Sequence, residues 1–377
     1  YMKHLLIDGT PISRRIDGLS QYILNVMLNW ELARDYEYTL LVRPNECPPL
    51  YLRLFKEKGF RIEEVNIAPI GPKRDIQFAR YLLKHRHFDA AFIPSNQFPL
   101  ALHIPALYTI HDLIYEQFPE QLGRWKHFKR MYLRMVTHRG LYRAKQVVAV
   151  SQYTRNEILR YHGKHYENNI QVVPEGWEHL LFFTNEAYGY PKDVQFSNYI
   201  LYVGSSREHK NWGRLIKAIK QCYQNIPEDW GFVFIGNSKM LSTKLQQEIQ
   251  EINKQRSIIQ VTGWQEDKSL ANYYRHAKAL IFPSLSEGFG IPVLEAYFYR
   301  IPLLLSNQAS LPEVAGDAAI YFNPYDVQDI AQTITQFIKQ PQHDDLIERQ
   351  TERLSRYSWK NTSKQLKSLL QQIAKSI

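Results

Sequence analysis

Short, continuously apolar runs alternate with helix-like segments along the chain, and the alternation occurs twice. In the first half the runs are KHLLID (3–8), YTLLV (38–42), AAFIP (90–94), ALYTI (106–110) and QVVAV (146–150). In the second half they are NYILYVG (198–204), GFVFIG (231–236), IIQVTG (258–263), ALIFP (279–283) and IPLLLS (301–306). Strands that are apolar throughout are typical of parallel sheets covered by helices on both faces. The pattern therefore predicts an α/β protein with two doubly wound domains.

Helix-like segments lie between these runs, and a polar stretch separates the two alternations. The segments with a helical pattern include 19–35, 211–223, 242–255, 267–277, 291–299 and, at the end of the chain, 362–377. Residues 188–198 are polar and rich in turn formers, so we place the domain boundary near 175–197. Ligands of open parallel sheets bind beyond the carboxyl ends of the strands, and two such sheets predict a site in the cleft between the domains.

The charge balance and the cysteine count narrow the class of protein. Lys and Arg number 47 against 37 Asp and Glu, a net charge of +10, which favours anionic partners such as phosphates or acidic lipid headgroups. No recognised nucleic-acid-binding module is present, so we expect no nucleic-acid partner. The two cysteines exclude a disulfide framework. The sequence shows neither a signal-peptide core nor a membrane-spanning stretch, so we expect a cytoplasmic protein that at most lies peripherally on the membrane.

Residues 285–297, LSEGFGIPVLEAY, carry two glutamates on either side of a glycine loop. Gly288 and Gly290 allow the backbone to approach a ligand closely, and the following helix would present its first N–H groups to an anion such as phosphate. Glu287 and Glu295 would accept hydrogen bonds from the hydroxyls of a sugar or a ribose. The alternative is a tight turn followed by a helix whose glutamate is favoured by the helix dipole.

A second loop, residues 202–216, follows another strand and is rich in cations. Arg207, His209 and Lys210 cluster between that strand and the next helix, where fixed cations suit a diphosphate. The alternative is a solvated basic turn. This loop and residues 285–297 both lie at carboxyl ends of strands in the same predicted domain, which favours a shared ligand site over two unrelated turns.

Residues 199–325 resemble the C-terminal domain of the retaining glycosyltransferases of family 4, which have the GT-B fold. The matching motifs are Gly204, Lys210-Asn211, VTGW (261–264), Glu287 and Glu295 with seven residues between them, and SLPEVAGDAAIYFNPYD (310–326). Looser matches in the first domain are DGLSQY (17–22), TIHDLIYEQFPE (109–120), VVAVSQYTRNEI (147–158) and VVPEGW (172–177). The resemblance implies two Rossmann-like domains that face a central cleft. It implies an acceptor-binding domain at residues 1–180, completed by a helix at 358–377, and a nucleotide-sugar-binding domain at residues 195–357.

The resemblance also implies a role for each matching residue of the second domain. Glu295 would hold the ribose of a nucleotide sugar, and Glu287 would contact the sugar that is transferred. Lys210, helped by Arg207, would neutralise the leaving diphosphate. The remaining contacts would come from the loop amides at Gly288, Phe289 and Gly290, from the strand end at Gly204, and from Gly236, Thr262, Gly263 and Trp264 beside the nucleobase.

Three residues of the first domain complete the expected site. By the same resemblance Gly18 would approach the phosphates and His111 the sugar. His111 follows the run ALYTI (106–110), and this position also favours a site residue over a packing or surface histidine. Asp112 either orients His111 or caps the segment that follows.

The chain departs from the family pattern at four positions. His209 stands where an arginine is usual, Glu175 where asparagine is common, and Arg300 where glycine is usual. The glycine-rich loop after the first strand is reduced to Gly18. The first of these departures leaves diphosphate binding to Lys210, with Arg207 as the second cation.

The resemblance predicts transfer of a hexose from a nucleoside diphosphate sugar to a hydroxyl of a glycan or lipid-linked glycan, with retention by same-face attack. The chain has no Asp-x-Asp pair that would hold a metal, so we expect neither a metal nor a cofactor. The HDL and LPEVAGDAA segments resemble those of bacterial polysaccharide mannosyltransferases, which makes GDP-mannose the first donor to test. An epimerase or glucan synthase of the same fold, and a non-catalytic nucleotide-sugar-binding subunit, stay open as alternatives.

Residues 123–145 combine many Lys and Arg residues with a periodic apolar face and no acidic residue. Trp125, Phe128, Tyr132 and Met135 recur at helical spacing. One interpretation is a helix that lies on an anionic membrane, which would suit a lipid-linked acceptor. The other is a helix whose aromatic face packs inward and whose charges are solvated.

Overall fold

Each of the ten predicted apolar runs forms a strand. The computed structural model describes residues 2–183, 189–236 and 241–376. It divides into two units, Tyr1–Gly176 with Ser358–Ile377, and Trp177–Tyr357. Part of the predicted boundary region, residues 184–188, lies outside the described residues.

The first unit contains a parallel sheet with the strand order β3-β2-β1-β4-β5-β6-β7. Its strands are β1 (Lys3–Asp8), β2 (Tyr36–Val42), β3 (Arg61–Glu64), β4 (Ala90–Ile93), β5 (Ala106–Ile110), β6 (Gln146–Ala149) and β7 (Ile170–Val172). Its helices are α1 (Gly18–Leu28), α2 (Pro49–Lys58), α3 (Pro72–Lys84), α4 (Ile114–Gln117), α5 (Lys126–Arg143) and α6 (Gln152–His162), with short 3-10 helices at Pro119–Trp125 and Lys164–Asn169.

The second unit contains a parallel sheet with the strand order β10-β9-β8-β11-β12-β13. Its strands are β8 (Asn198–Val203), β9 (Trp230–Ile235), β10 (Ile259–Thr262), β11 (Ala279–Phe282), β12 (Leu303–Ser306) and β13 (Ile320–Phe322). Its helices are α7 (Trp212–Cys222), α8 (Thr243–Gln255), α9 (Asp267–His276), α10 (Ile291–Phe298), α11 (Leu311–Ala315), α12 (Val327–Lys339) and α13 (Asp344–Leu354), with 3-10 helices at Glu178–Phe183, Glu208–Lys210 and Tyr223–Asn225. The two Rossmann-like α/β sheets confirm the predicted fold class.

The strands that the apolar pattern missed all lie at sheet edges. They are β3 and β7 in the first sheet and β13 in the second. The sequence of β3 is RIEE, and neither of its glutamates is buried. An edge strand has a neighbour on one side only and need not be apolar throughout, so its sequence gives a weaker signal.

Helix α1 is shorter than predicted, because it ends at Leu28 and not near residue 35. The Asn29 side chain donates to the carbonyl of Asn25 at 2.9 Å and closes the last turn. Trp30, two residues beyond the helix, is fully buried and stacks on Phe92 with ring centroids 5.8 Å apart. The apolar periodicity therefore runs past the end of the helix because a core residue follows it.

The last helix, α14 (Trp359–Lys375), belongs to the first unit. Its N-terminus is capped by the Ser358 hydroxyl, which accepts from the Asn361 amide at 3.4 Å. The Ser363 hydroxyl donates to the Val26 carbonyl of α1 at 2.8 Å. Gly176 passes so close to α14 that a Cβ there would lie 2.0 Å from the Trp359 nitrogen. The end of the chain is thus packed against elements near its beginning.

Candidate active site

Lys210 and Glu287 meet at the carboxyl edge of the second sheet. Lys210 lies in the turn after β8, and Glu287 lies in the loop after the neighbouring strand β11. The Lys210 Nζ donates to the Glu287 Oε1 at 2.6 Å, and it lies 5.3 Å from the centroid of the Phe282 ring. The side chains are only 18% and 10% exposed, so water screens this pair less than a surface ion pair. The edge of the sheet therefore carries a fixed cation.

Asn211, beside Lys210, connects its own turn by hydrogen bonds to the loops that contain Pro283 and Pro324. It adopts the left-handed conformation with φ of 62°, which Asn tolerates better than most residues. Its Nδ2 donates to the carbonyls of Pro283 at 3.1 Å and Pro324 at 2.8 Å. Asn211 belongs to the motif Lys210-Asn211, but the sequence gives no indication of these two hydrogen bonds.

The glycine loop leads directly into helix α10. Gly290 is the N-terminal cap residue with φ of 103°, and no side chain caps the helix start. A Cβ at Gly290 would lie 2.8 Å from the Leu311 Cδ2. The buried Ser310 hydroxyl lies 2.9 Å from the Glu287 carbonyl and 3.0 Å from the Phe289 carbonyl, and it fixes the loop. An uncapped helix start on a fixed loop suits an anion.

Phe289 and Gly288 contribute to this loop through the main chain. The Phe289 side chain is 4% exposed, and its ring packs edge-to-face on Tyr357 with centroids 5.5 Å apart. Gly288 is buried beside it. Because the Phe289 ring faces the protein, any contact with a ligand would come from the backbone, as the sequence analysis expects.

Glu295, in the second turn of α10, is held by a tyrosine that the sequence analysis missed. The Tyr274 hydroxyl donates to the Glu295 Oε2, and the His179 Nε2 lies 3.9 Å from Oε1. Burial, and then the charge of Glu295, raises the pKa of Tyr274 well above its usual value, so the hydroxyl stays a donor. The Tyr274 ring stacks on Tyr299 at 5.2 Å. Tyr274 thus fixes the orientation of the carboxylate.

His209 and Arg207 differ in their electrostatic character although both lie near Lys210. His209 is 3% exposed, and burial lowers the pKa of its imidazole to about 4. The ring is therefore neutral at pH 7. Arg207 is exposed at the start of the 3-10 turn. The cationic side chains of this loop are thus Lys210 and Arg207.

The strand ends named in the sequence analysis lie side by side. The Gly204 amide donates to the Ile235 carbonyl at 2.9 Å, and the Gly236 amide donates to the Thr262 carbonyl at 3.4 Å. A Cβ at Gly236 would lie 2.1 Å from the Gly204 oxygen, so glycine is required for this approach. Beyond Thr262, which is buried, Gly263 and Trp264 are exposed, with Trp264 at 45%. The indole is therefore free to stack on a ligand.

In the first unit, His111 follows β5 at the carboxyl edge of the sheet. Its Nε2 lies 2.9 Å from the Pro94 carbonyl oxygen, and its Nδ1 lies 3.5 Å from the Glu175 Oε1. The Asp112 Oδ1 accepts from the Ile114 amide at 3.2 Å, while the N-cap residue of α4 is Leu113. Both ring nitrogens of His111 thus face protein acceptors.

Gly18, the first residue of α1, is exposed, and a Cβ there would meet no atom within 4 Å. The loop before it is held by Arg43, which donates to the carbonyls of Thr10 at 2.7 Å and Ile12 at 2.9 Å. Arg74 supports the same loop by donating to the Thr10 hydroxyl at 2.7 Å and to the Asp8 carboxylate. Arginine contacts thus hold in place a loop that contains few glycines.

Across the described ranges, no three His, Cys, Asp or Glu side chains come together as a metal-binding group. Over the same residues, none of the helices is both long enough and apolar enough to cross a membrane.

Comparison with known protein families gives two matches that together cover most of the chain. Residues 16–178 match the model described as Glycosyltransferase Family 4, and residues 192–354 match the model described as Glycosyl transferases group 1. The first match falls almost wholly within the first unit, and the second falls within the second unit.

Curated relatives and solved structures agree with these matches. O-antigen chain mannosyltransferase B of Escherichia coli is 25% identical over 272 residues, which are 69% of this chain and 68% of the relative. The serotype-specific mannosyltransferase WbdA of Escherichia coli is 26% identical over 80% of this chain, but the match spans only 37% of WbdA. The crystal structure of Anabaena HepE in complex with UDP and glucose superposes with a TM-score of 0.73 at 16% identity, over 98% of this chain and all of that one.

With both units matched and both sheets built as described, the chain belongs to the glycosyltransferases of family 4 and group 1 with the GT-B fold, and it is a glycosyltransferase.

Proposed function

We propose that this enzyme transfers a hexose from a nucleoside diphosphate sugar to a hydroxyl of a glycan or lipid-linked glycan, with retention of anomeric configuration and without a metal. The observation that carries the proposal is the Lys210–Glu287 pair beside the uncapped start of α10. A partly buried cation and main-chain N–H groups at one sheet edge are what a diphosphate needs. Mannose is the proposed sugar because the relatives that match most of the chain are named mannosyltransferases.

Each proposed site residue of the second unit then has a distinct role. Glu295, oriented by Tyr274, accepts hydrogen bonds from the ribose hydroxyls. Glu287 contacts the hexose, and Lys210, paired with Glu287 in the free enzyme, binds the diphosphate. Trp264 offers an exposed ring for stacking on the base.

The proposed chemistry needs charge stabilisation and not a protein nucleophile. The bond between the hexose C1 and the phosphate oxygen breaks, and the acceptor oxygen bonds to C1 on the same face. The acceptor proton passes to the leaving phosphate oxygen. Lys210 and the amides around Gly290 stabilise the charge that grows on the diphosphate. Because these groups neutralise the leaving group and the chain has no Asp-x-Asp pair, we propose that no metal is required.

A thermal-shift comparison of nucleotide sugars tests the donor. We expect GDP-mannose at about 100 times its Kd to stabilise the protein by about 2.7 kcal/mol, since a ligand that binds only the native state stabilises it by mass action. UDP-glucose is the matched comparison, because Anabaena HepE has been crystallised with UDP and glucose. NMR of the product should show a new glycosidic bond with the anomeric configuration of the donor.

A larger shift with UDP-glucose would replace mannose by another sugar and leave the transferase proposal standing. Stabilisation by no nucleotide sugar, or an altered sugar nucleotide with no new linkage, would contradict the transferase proposal. Activity that is abolished by EDTA and restored by a divalent ion would contradict metal independence.

We also propose that helix α5 and the turn before it lie on an anionic membrane surface. Trp125, Phe128, Met131 and Met135 are 59%, 63%, 65% and 49% exposed, so the interpretation of an inward-packed aromatic face is wrong for them. Tyr132, the remaining residue of the predicted face, packs partly on the core. The exposed face is accompanied by an excess of basic residues, and this combination favours binding to anionic lipid. An open cavity of about 400 Å³ beside the helix is lined by Met131, Arg134, Met135, His138, Tyr161 and His162.

Flotation with vesicles that contain phosphatidylglycerol tests this surface. We expect the wild-type protein to float with the vesicles at low salt, and the Trp125→Ala/Phe128→Ala variant to lose most of that binding, because two large apolar anchors are removed. Leu83→Ala on α3 is the matched control, because Leu83 is 63% exposed elsewhere in the first unit. No co-flotation of the wild type at low salt, or equal loss in both variants, would retire the membrane proposal.

A further inference from the structure

Glu175 is a buried carboxylate in the first unit. It follows β7 and is 5% exposed. The His111 ring lies beside it, with Nδ1 3.5 Å from Oε1. A buried carboxylate is costly unless a positive group compensates it. The charge of Glu175 therefore concerns His111 directly.

The His111 ring lies between two acceptors. The Pro94 carbonyl oxygen, 2.9 Å from Nε2, can only accept a hydrogen bond, so Nε2 carries a proton. A Glu175 carboxylate near Nδ1 is also an acceptor. A neutral imidazole has one N–H group and an imidazolium has two, so only the cationic ring can donate to both a carbonyl and a carboxylate.

The other groups around the ring support this protonation state. Burial on its own lowers the pKa of His111, but Glu175, the Pro94 carbonyl and Asp112 together outweigh it, and the pKa is raised above its usual value. Tyr22 of α1 packs edge-to-face on the ring at 4.6 Å. Burial raises the pKa of Tyr22, so its hydroxyl stays neutral and adds no competing charge.

We propose that Glu175 is a positioning residue that holds His111 as an imidazolium and fixes its ring between two acceptors. The substrate side of the first unit then carries a fixed positive charge, where a neutral histidine would offer only hydrogen bonding. For the role in transfer, the inference rests on the proposed function, with His111 as the sugar contact that the family resemblance implies. Since the pKa of His111 is raised, the positive charge is present below that pKa and is lost as the pH rises through it.

Glu175→Gln tests the pairing because it keeps the side-chain shape and removes the charge. We expect NMR titration of protein labelled with 13C-histidine to show a lower pKa for His111 in the variant. The His111 signal is identified by its loss in His111→Gln. Glu175→Asn, which also removes the charge and shortens the side chain, is the second variant and should act in the same direction. Glu31→Gln is the control, because Glu31 is 76% exposed.

The pH profile of kcat/KM tests the role in transfer. We expect the alkaline limb to move to lower pH in Glu175→Gln and to stay in place in Glu31→Gln. An unchanged His111 pKa in both Glu175 variants would overturn the pairing, and this measurement needs no substrate. A lowered pKa with an unmoved alkaline limb would overturn the role in transfer. Absence of any sugar transfer by the wild type would contradict the proposed function and leave the NMR result on the pairing intact.

Discussion

Lys210→Ala should lower kcat by about 10³-fold, the upper range for loss of one preorganised group that stabilises a leaving oxyanion. The variant removes the cation and also leaves the Glu287 carboxylate, 2.6 Å from Nζ in the wild type, without its partner. An uncompensated carboxylate would repel the diphosphate as its charge grows. We therefore expect kcat to fall more than the donor KM rises, as measured by steady-state kinetics with the donor that gives the largest thermal shift.

Two further variants separate loss of the cation from exposure of the carboxylate. Lys210→Ala/Glu287→Gln removes both charges, and its deficit should be smaller than the sum of the deficits of Lys210→Ala and of Glu287→Gln alone, because the residues are in contact. Lys220→Ala is the matched control: its side chain is 65% exposed and lies 3.9 Å from Glu251 on the surface. A Lys210→Ala enzyme within threefold of the wild type would exclude the lysine from charge stabilisation.

The proximity of Lys210 and Glu287 could be predicted from the sequence. Each residue follows an apolar strand, and the carboxyl ends of parallel strands lie at the same edge of a sheet. The inner strands were predictable for the same reason, since burial on both faces requires apolar residues throughout. The edge strand β3, with sequence RIEE, has no such requirement and was missed. Helix α1 was predicted too long because the core residue Trp30 continues its periodicity.

The residues that hold the site in place could not be predicted. Tyr274, Ser310 and Asn211 act through hydrogen bonds to partners that are 21 to 113 residues away along the chain, and no local pattern reports such contacts. Glu175 could be recognised as a departure from the family pattern, but the sequence does not show that it lies beside His111. Similarly, the helical spacing around Phe128 predicted an apolar face of α5, but it could not show whether that face is buried or exposed.

Arg74→Met should destabilise the first unit by about 3–5 kcal/mol, the usual cost of breaking a buried ion pair by removing one partner. Arg74 and Asp8 are 1% and 0% exposed, and methionine preserves much of the arginine volume. The variant leaves the Asp8 carboxylate at the end of β1 without a cation. Hydrogen exchange should show faster exchange in β1 (Lys3–Asp8), while β8 (Asn198–Val203) of the second unit serves as the internal reference.

The double variant Asp8→Asn/Arg74→Met distinguishes charge burial from lost packing. It should regain part of the stability, because a neutral pair needs no compensating cation, although the contacts of Arg74 with Thr10 and Gln97 stay broken. Arg53→Met is the surface control; its pair with Glu57 at 3.8 Å is largely exposed and should contribute about 0.5 kcal/mol or less. If Arg74→Met exchanges no faster than Arg53→Met in β1, the pair does not stabilise this strand.

Because Arg74 also binds the loop that leads to Gly18, a destabilised β1 should be accompanied by faster hydrogen exchange in residues 9–17.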